Sequence, residues 1–434
     1  MLKVVEVCKR VEGHGDVKIL IQNDEIYLVN FEFQIYREFE KFLIGKKLID
    51  IPKIISRICG LCHTSQEITS CKAIENIYNV KVHEQSILLR RLLMSSELIK
   101  SHSMHFFFQA LPDLLTIFDP NHKLFSLYDL INFDPQLTAN FYELIKIGNE
   151  INILFGGRSL HLISLIPGGV IYSPSRKKII LARKYFQKFL SNLEWIIEKL
   201  VDSFSNKVPP KEYSLPNYIL LSLTNYGNYD RYSGDLRIKE NHKNVIDFKI
   251  HSYLTYFGKE INLRGIDFYF DNKNNIIVGP FSRCNIVDKY EIDEINNYYE
   301  CFNKSWKNNI LFINFIRLLE MYIESYQGLQ ILDDPSLNNK IEFPSLNSVK
   351  KLDGIGVIEA PRGTLIHHYH SDENGYIDQI NLFVATEFNI PIINKMITKY
   401  AQELFEKTGD INLVRKKVQI IIRAFDPCIS CVTH

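Results

Sequence analysis

The chain has 434 residues, 46% of them hydrophobic, and its 51 Lys and Arg against 50 Asp and Glu leave a formal net charge of +1. That length allows a large buried core, and the charge balance argues against nucleic acid or an anionic membrane as the main partner. The N-terminal stretch "MLKVVEVCKRVEGHGDVKIL" lacks the apolar centre of an export signal, and no apolar run approaches the ~18 residues of a membrane helix. A soluble, cytoplasmic chain with no direct membrane span is expected.

In chain order, "VKILIQ" and "EIYLVNFEF" alternate apolar and polar residues around "ND", which predicts a β-hairpin or small meander. From about Ile51 the period turns helical. "HEQSILLRRLLMSSELIKSHSMHFFFQAL" repeats apolar residues every three or four positions over ~8 turns, the pattern of a central bundle helix. "FYELIKIGNEINILFGGRSLHLISLIPGGV" reads as a helix and a Gly-rich loop, and "RKKIILARKYFQKFLSNLEWIIEKLVDSF" as a second long helix. Residues 207–292 are poorer in helix and hold short strands such as "NNIIVGPF". Helix returns from about Glu294 to Leu329. A period of two marks a sheet around "VIEAPRGTLIHHYHSDENGYIDQINLFVAT", and a last helix is expected over about Pro391 to Glu406. There is no repeat, linker or boundary, so residues 1–434 read as one domain. The expected class is α+β, helix-dominated, with a central bundle of long helices and small peripheral β-sheets.

Of eight cysteines, Cys59 and Cys62 form one Cys-x-x-Cys pair and Cys428 and Cys431 another, close to the C-terminus. With no export signal, such pairs favour metal or redox work over disulfides. They can share one metal only if the two ends of a large domain fold together. Spacing alone leaves a structural Cys₄ zinc site, an iron–sulfur cluster and a catalytic metal all open. Cys8, Cys71, Cys284 and Cys301 have no such partner and default to buried small hydrophobes.

The flanking residues narrow this. "RICGLC" and "DPCISCVTH", with "KRVEGHGDVKI", "YREFEKFLIGK" (Glu38 where a Gly is usual), "GGRSLH", "PGG" and "APRG" between them, resemble in order and spacing the large subunit of nickel–iron hydrogenases. The likeness is nearest to cytoplasmic heterodisulfide-reductase-linked (methyl-viologen-reducing) or sulfhydrogenase-like members. It implies a hydrogenase large-subunit fold and a reversible, heterolytic cleavage of H2. It further implies that all four paired cysteines hold one nickel and one iron, with Cys62 and Cys431 bridging and Cys59 and Cys428 terminal on nickel. Iron would carry a carbon monoxide and two cyanides.

Further roles follow from the same resemblance. Cys428 is the first base and Glu12 the proton carrier, although a lone Glu in a strand is usually a surface residue. Arg362 stands over the open metal position, on a loop set by Pro361, with Asp426 and Asp113 completing a polar canopy. Thr386 donates to a cyanide. Glu40, His434 and the Leu382 carbonyl would bind a second ion, magnesium or ferrous iron. Lacking a cluster-binding cysteine set of its own, the chain needs an iron–sulfur small subunit to carry iron–sulfur clusters. Further electron-transfer subunits, heterodisulfide-reductase-like or flavin-containing, are expected.

One departure bears on function. The family's first motif carries a histidine four residues after its second cysteine, where this chain has Gln66. Gln66 can donate to a thiolate but cannot titrate. Hydrogen-sensing members share that glutamine, so a slow sensor stands as the alternative to an enzyme, and a zinc protein as a third reading. His367, His368 and His370 read as structural or surface residues.

Overall fold

Three antiparallel strands open the chain: β1 (Leu2–Val7), β2 (Asp16–Gln22) and β3 (Glu25–Glu32). Asn23 and Asp24 join β2 to β3, both at positive φ (52° and 63°), as a tight two-residue turn requires. Val17, Ile19, Val29 and Phe31 are buried, so the alternation seen in the sequence does form the predicted meander. In this computed structural model residues 2–34, 38–119, 127–240, 244–262, 265–270, 275–287, 290, 292–339 and 343–434 are described. Tyr36 and Arg37 of the "YREFEKFLIGK" segment and Asn274 of the "NNIIVGPF" strand lie outside them.

The helices follow as α1 (Glu38–Leu43), α2 (His63–Tyr78), α3 (Glu84–His105), α4 (Leu111–Phe118), α5 (Pro135–Gly156) and α6 (Arg176–Phe204). One π-turn, Phe106–Ala110, joins α3 to α4. Asp134 caps α5 by accepting from the Leu137 amide at 2.9 Å, and Gly157 ends it at φ 79°. Beyond β4 (Ile219–Asn225), β5 (Asp235–Glu240) and α7 (Pro280–Ile286) comes α8 (Phe312–Asp333). Helix α3 packs on α5, α5 on α6, α6 on α8 and α8 on α3, closing a ring of four. That ring is the expected bundle. Its facing residues, such as Leu92, Ile99, Ile147, Ile151, Phe186, Phe189, Ile316 and Leu319, are all buried.

The C-terminal part contains β6 (Asp353–Ala360), β7 (Gly363–Ser371) and β8 (Ile377–Phe383), then α9 (Ala385–Thr408), α10 (Ile411–Phe425) and α11 (Ile429–Thr433). Strand β6 lies against α2 with unusual closeness. A Cβ added to Gly356 would stand 2.1 Å from the Thr69 carbonyl oxygen, so only glycine fits there. Helix α9 covers the free edge of β3. The Val29 amide donates to Thr398 Oγ1 at 3.0 Å, Thr398 Oγ1 returns a bond to the Val29 carbonyl at 2.8 Å, and the Phe31 amide donates to Asn394 Oδ1 at 2.8 Å. These bonds satisfy backbone groups an edge strand would leave open, and they tie the N-terminal sheet to the C-terminal helices.

Two expectations are corrected. Helix over Glu294 to Leu329 is three helices, Asp293–Glu300, Lys304–Lys307 and α8, because Asn303 caps a new start by accepting from the Ser305 and Trp306 amides. The last helix begins at Ala385 rather than Pro391 and is followed by the unexpected α10, started by Asp410 accepting from the Asn412 and Leu413 amides.

Candidate metal centre

Each cysteine pair lies at the start of a helix. Cys62 immediately precedes α2, and Cys59 Sγ accepts from the Leu61 and Cys62 amides at 3.3 and 3.4 Å. At the other end, α10 stops where Asp426 turns left-handed (φ 53°), a conformation a short polar side chain tolerates. Pro427 follows, and Cys428 immediately precedes α11. The two ends are joined by backbone: Glu12 pairs in parallel with Cys428, and the Ile429 amide donates to the Glu12 carbonyl at 3.1 Å. Gly13 permits this contact, since at its φ of 85° a Cβ would lie 2.8 Å from Ile429 Cβ.

The result is one buried cluster. Cys59 Sγ lies 3.4 Å from Cys428 Sγ, Cys62 Sγ 3.1 Å from Cys431 Sγ, and Cys428 Sγ 2.8 Å from Cys431 Sγ. All four sulfurs fall within 4.8 Å of one another. Hydrogen bonds from the thiols of Cys428, Cys431 and Cys62, with Arg362 nearby, hold Cys59 well below the ordinary thiol range. Burial pushes Cys428 and Cys431 well above it. Four sulfurs so close suit soft metal ions, whose binding displaces the thiol protons. The donor set therefore fits a thiolate-held nickel and iron.

Arg362 sits beside this cluster, feeling the charges of Cys428, Cys59 and Cys62. Its Nε donates to the Asp426 carbonyl at 2.8 Å and its Nη2 to Asp426 Oδ1 at 3.0 Å. Arg362 Nη1 and Asp426 Oδ2 are buried without a hydrogen-bond partner among the described residues. Burial pushes the Asp426 carboxyl up against the pull of Arg362 and Arg317. Thr386 Oγ1 accepts from the Cys428 amide at 2.9 Å, which leaves its own hydrogen free to donate. Glu12 Oε2 accepts from the Ser430 amide at 3.1 Å, and Oε1 from the Ser430 hydroxyl. Asp113 stands one layer further out, paired with Arg10 and bidentate to Arg423 at 2.6 and 3.0 Å.

The residues expected at a second ion also meet. His434 Nε2 is 3.5 Å from Glu40 Oε1, which accepts from the Leu382 amide at 3.1 Å. His434 Nε2 is buried and has no hydrogen-bond partner among the described residues. Gln66 Nε2 faces Cys431 Sγ at 3.8 Å. His63 turns away, toward Thr64 and the ring of His161. Cys8, Cys71 and Cys284 are buried apart from the cluster, and Cys301 is exposed.

Three contributors were not anticipated from sequence. Arg283, on α7, donates to the Ala360 and Pro361 carbonyls, both at 2.9 Å, while its other bonds run to Glu320 (2.6 and 2.7 Å) and Glu359 (3.1 Å). It fixes the backbone that presents Arg362. Glu97, on α3, accepts from the Thr64 and Ser65 amides at 2.6 and 3.1 Å and so caps α2 directly after Cys62; burial pushes its carboxyl up to about 7. His367, fully buried, meets Gln66 Oε1 at 2.8 Å. The strand alternation of "LIHHYH" carried a signal for the last, since it sends His367 and Tyr369 to the buried face and His368 and His370 to the other.

Taken together, fold and site define a thiolate metalloprotein whose centre is clamped between the two ends of a helix-rich α+β domain. The chain belongs to the nickel-dependent hydrogenase family, whose profile matches residues 37–119 and 317–434. It is 29% identical over 417 residues to one subunit of the F420-non-reducing hydrogenase vhu of Methanocaldococcus jannaschii, covering 93% of this chain and 99% of that one. It is 28% identical over 475 residues to the beta subunit of the NAD-reducing hydrogenase HoxS of Cupriavidus necator, covering 99% and 94%. The crystal structure of an NAD+-reducing NiFe-hydrogenase in its H2-reduced state superposes with a TM-score of 0.92 at 25% identity, over the whole of both chains.

Proposed function

We propose that this chain, acting as a single domain, is the catalytic subunit of a nickel–iron hydrogenase that interconverts H2 with two protons and two electrons. The observation that carries the reading is the meeting of two distant Cys-x-x-Cys pairs in one buried four-sulfur cluster beside an arginine with a buried N–H that has no partner among the described residues. Cys59, Cys62, Cys428 and Cys431 would hold the metals, Cys62 and Cys431 as bridges. When bound, the metal pair supplies a soft Lewis-acid centre that accepts the electron pair of the H–H bond.

The residues divide the remaining work. Cys428 Sγ takes the proton first. Glu12 receives it next, because its carboxylate is hydrogen-bonded to Ser430 and its backbone to the Cys428 segment. Arg362 stays charged and offers N–H groups in fixed directions, which suits it both to polarise bound H2 and to anchor a cyanide on iron. Pro361 shapes that loop, Thr386 would donate to the second cyanide, and Asp426 and Asp113 hold the two arginine layers in place. Carbon monoxide and two cyanides would complete the iron. Glu40, His434 and the Leu382 carbonyl would hold magnesium or ferrous iron.

The matched relatives are named as single subunits of larger hydrogenases, which implies partner chains here too. We assign the electrons to a small iron–sulfur subunit with onward carriers, in the cytoplasm. Among the described residues no helix is long and apolar enough to cross a membrane. Those relatives are hydrogenases by name, which favours an enzyme over a sensor.

The test is metal analysis of the complex purified from its native host. About one nickel per chain, with iron beyond that of the partner's clusters, is expected. Stoichiometric zinc without nickel would overturn the reading.

A further inference from the structure

Gln66 stands where the resemblance leads one to expect a histidine, and its surroundings show how the substitution is accommodated. A row of buried groups runs behind Cys431. The Tyr369 hydroxyl lies 2.8 Å from His367 Nδ1, His367 Nε2 lies 2.8 Å from Gln66 Oε1, and Gln66 Nε2 lies 3.8 Å from Cys431 Sγ. Relative exposures are 0% for Tyr369 and His367, 1% for Gln66 and 4% for Cys431, so water does not compete with these bonds.

With Gln66 Nε2 on the sulfur side, donor and acceptor rules fix the direction of the other links. An amide oxygen can only accept, so His367 Nε2 carries the hydrogen and donates it to Gln66 Oε1. Burial keeps the His367 ring neutral by pulling it down to about 3, leaving one proton per ring. Nδ1 therefore holds a lone pair, and the Tyr369 hydroxyl donates to it. The Gln66 amide is then oriented with its N–H groups toward the sulfur. Turning it over would demand the other ring tautomer and would set an oxygen, which cannot donate, against the sulfur.

We propose that His367 and Tyr369 are positioning residues that lock Gln66 with its N–H on Cys431 Sγ, so that β7 sets the electron density of that sulfur. Neither residue touches the cluster; both act through Gln66. A hydrogen bond to a thiolate withdraws charge from it, and outer groups of this kind change metal affinity or activity by about 10- to 100-fold. Register adds a second link, since His367 pairs across the sheet with Leu382, whose carbonyl is assigned to the second ion. The inference rests on the nickel–iron reading above.

The experiment compares the holo-complex of the wild type with Gln66→Leu, His367→Leu, the double variant, His367→Gln and Tyr369→Phe. Readouts are nickel and iron content, the midpoint potential of the nickel centre, and its electron paramagnetic resonance signal. His367→Leu is expected to keep its metals and to shift potential and signal in the same direction as Gln66→Leu, toward lower potential, with turnover down about 10-fold. The double variant should shift no further than Gln66→Leu alone. His367→Gln places an N–H near the lost Nε2–H and should return the signal toward wild type. Tyr369→Phe, which keeps the ring's volume, should give a smaller shift of the same sign. A nickel-bearing wild type with Tyr369→Phe unshifted, and His367→Leu unshifted or additive with Gln66→Leu, would overturn this proposal alone. A wild type without nickel would overturn the functional reading and this proposal with it.

Discussion

Replacing Glu12 by Gln separates the proton step from everything else Glu12 does. The glutamine keeps an oxygen able to accept from the Ser430 amide, now 3.1 Å from Glu12 Oε2, and leaves the backbone pairing with Cys428 untouched. What is lost on the folding side is the charge on one hydrogen-bonded group, worth about 1 kcal/mol. What is lost on the reaction side is a group able to take up and release a proton. A positioned acid–base residue contributes about 10²- to 10⁴-fold, or about 3–5 kcal/mol of barrier at 1.36 kcal/mol per decade. Turnover should therefore fall by at least about 100-fold while the chain retains wild-type nickel and folds normally. The assay is H2-dependent reduction of an artificial one-electron dye, with metal analysis on the same sample. Ser430→Ala is the control: it removes the hydroxyl that Glu12 accepts from but not the carboxylate, and should cost less than about 10-fold. A Glu12→Gln protein with full nickel and more than about a tenth of wild-type turnover would refute the assignment.

Arg283→Met strips the brace from the Ala360–Pro361 carbonyls and leaves Glu320 and Glu359 buried without that partner, so it should cost about 3–5 kcal/mol of stability in urea denaturation and lower turnover in whatever protein remains folded. Glu97→Gln should act only at higher pH. Burial raises this carboxyl from 4.5 to about 7, so the folded chain binds an extra proton between those values, and Glu97's contribution is present below 4.5 and lost as pH rises toward 7. The amide should stabilise the metal-free chain by up to about 3 kcal/mol at pH 8 and leave it unchanged at pH 4, as compared by urea denaturation. Gly356→Ala drives a Cβ into the Thr69 carbonyl and should cost about 3 kcal/mol or more, seen as a lowered thermal midpoint.

Much of this was legible before any coordinates, for reasons particular to each element. The β2–β3 turn was readable because "ND" is a residue pair that accepts positive φ, and the bundle because its long segments repeat apolar residues every three or four positions. The helix α10 was missed because "QIIIRAF" reads locally as a buried strand; its only start signal was Asp410, which also suits a turn. The cysteines announced themselves by spacing. Arg283, Glu97 and His367 did not, because their partners lie 37 or more (Arg283 to Glu320, 320 − 283), 32 (Glu97 to Ser65) and 301 (His367 to Gln66) residues away. No local pattern encodes a bond whose other end is set by tertiary packing.

The joining of the chain's two ends has a consequence in time. Cys62 is made 366 residues before Cys428 (428 − 62). At about 5–20 residues per second, the first thiol pair waits roughly 20–70 s on the ribosome before its counterpart exists. A four-sulfur site cannot be filled during synthesis; loading has to come after it, or begin with a carrier that holds metal at Cys59 and Cys62 through the delay. A message cut short after Pro427 would encode the whole bundle and half a site, so only a chain carried through Cys431 brings all four thiols to the metals.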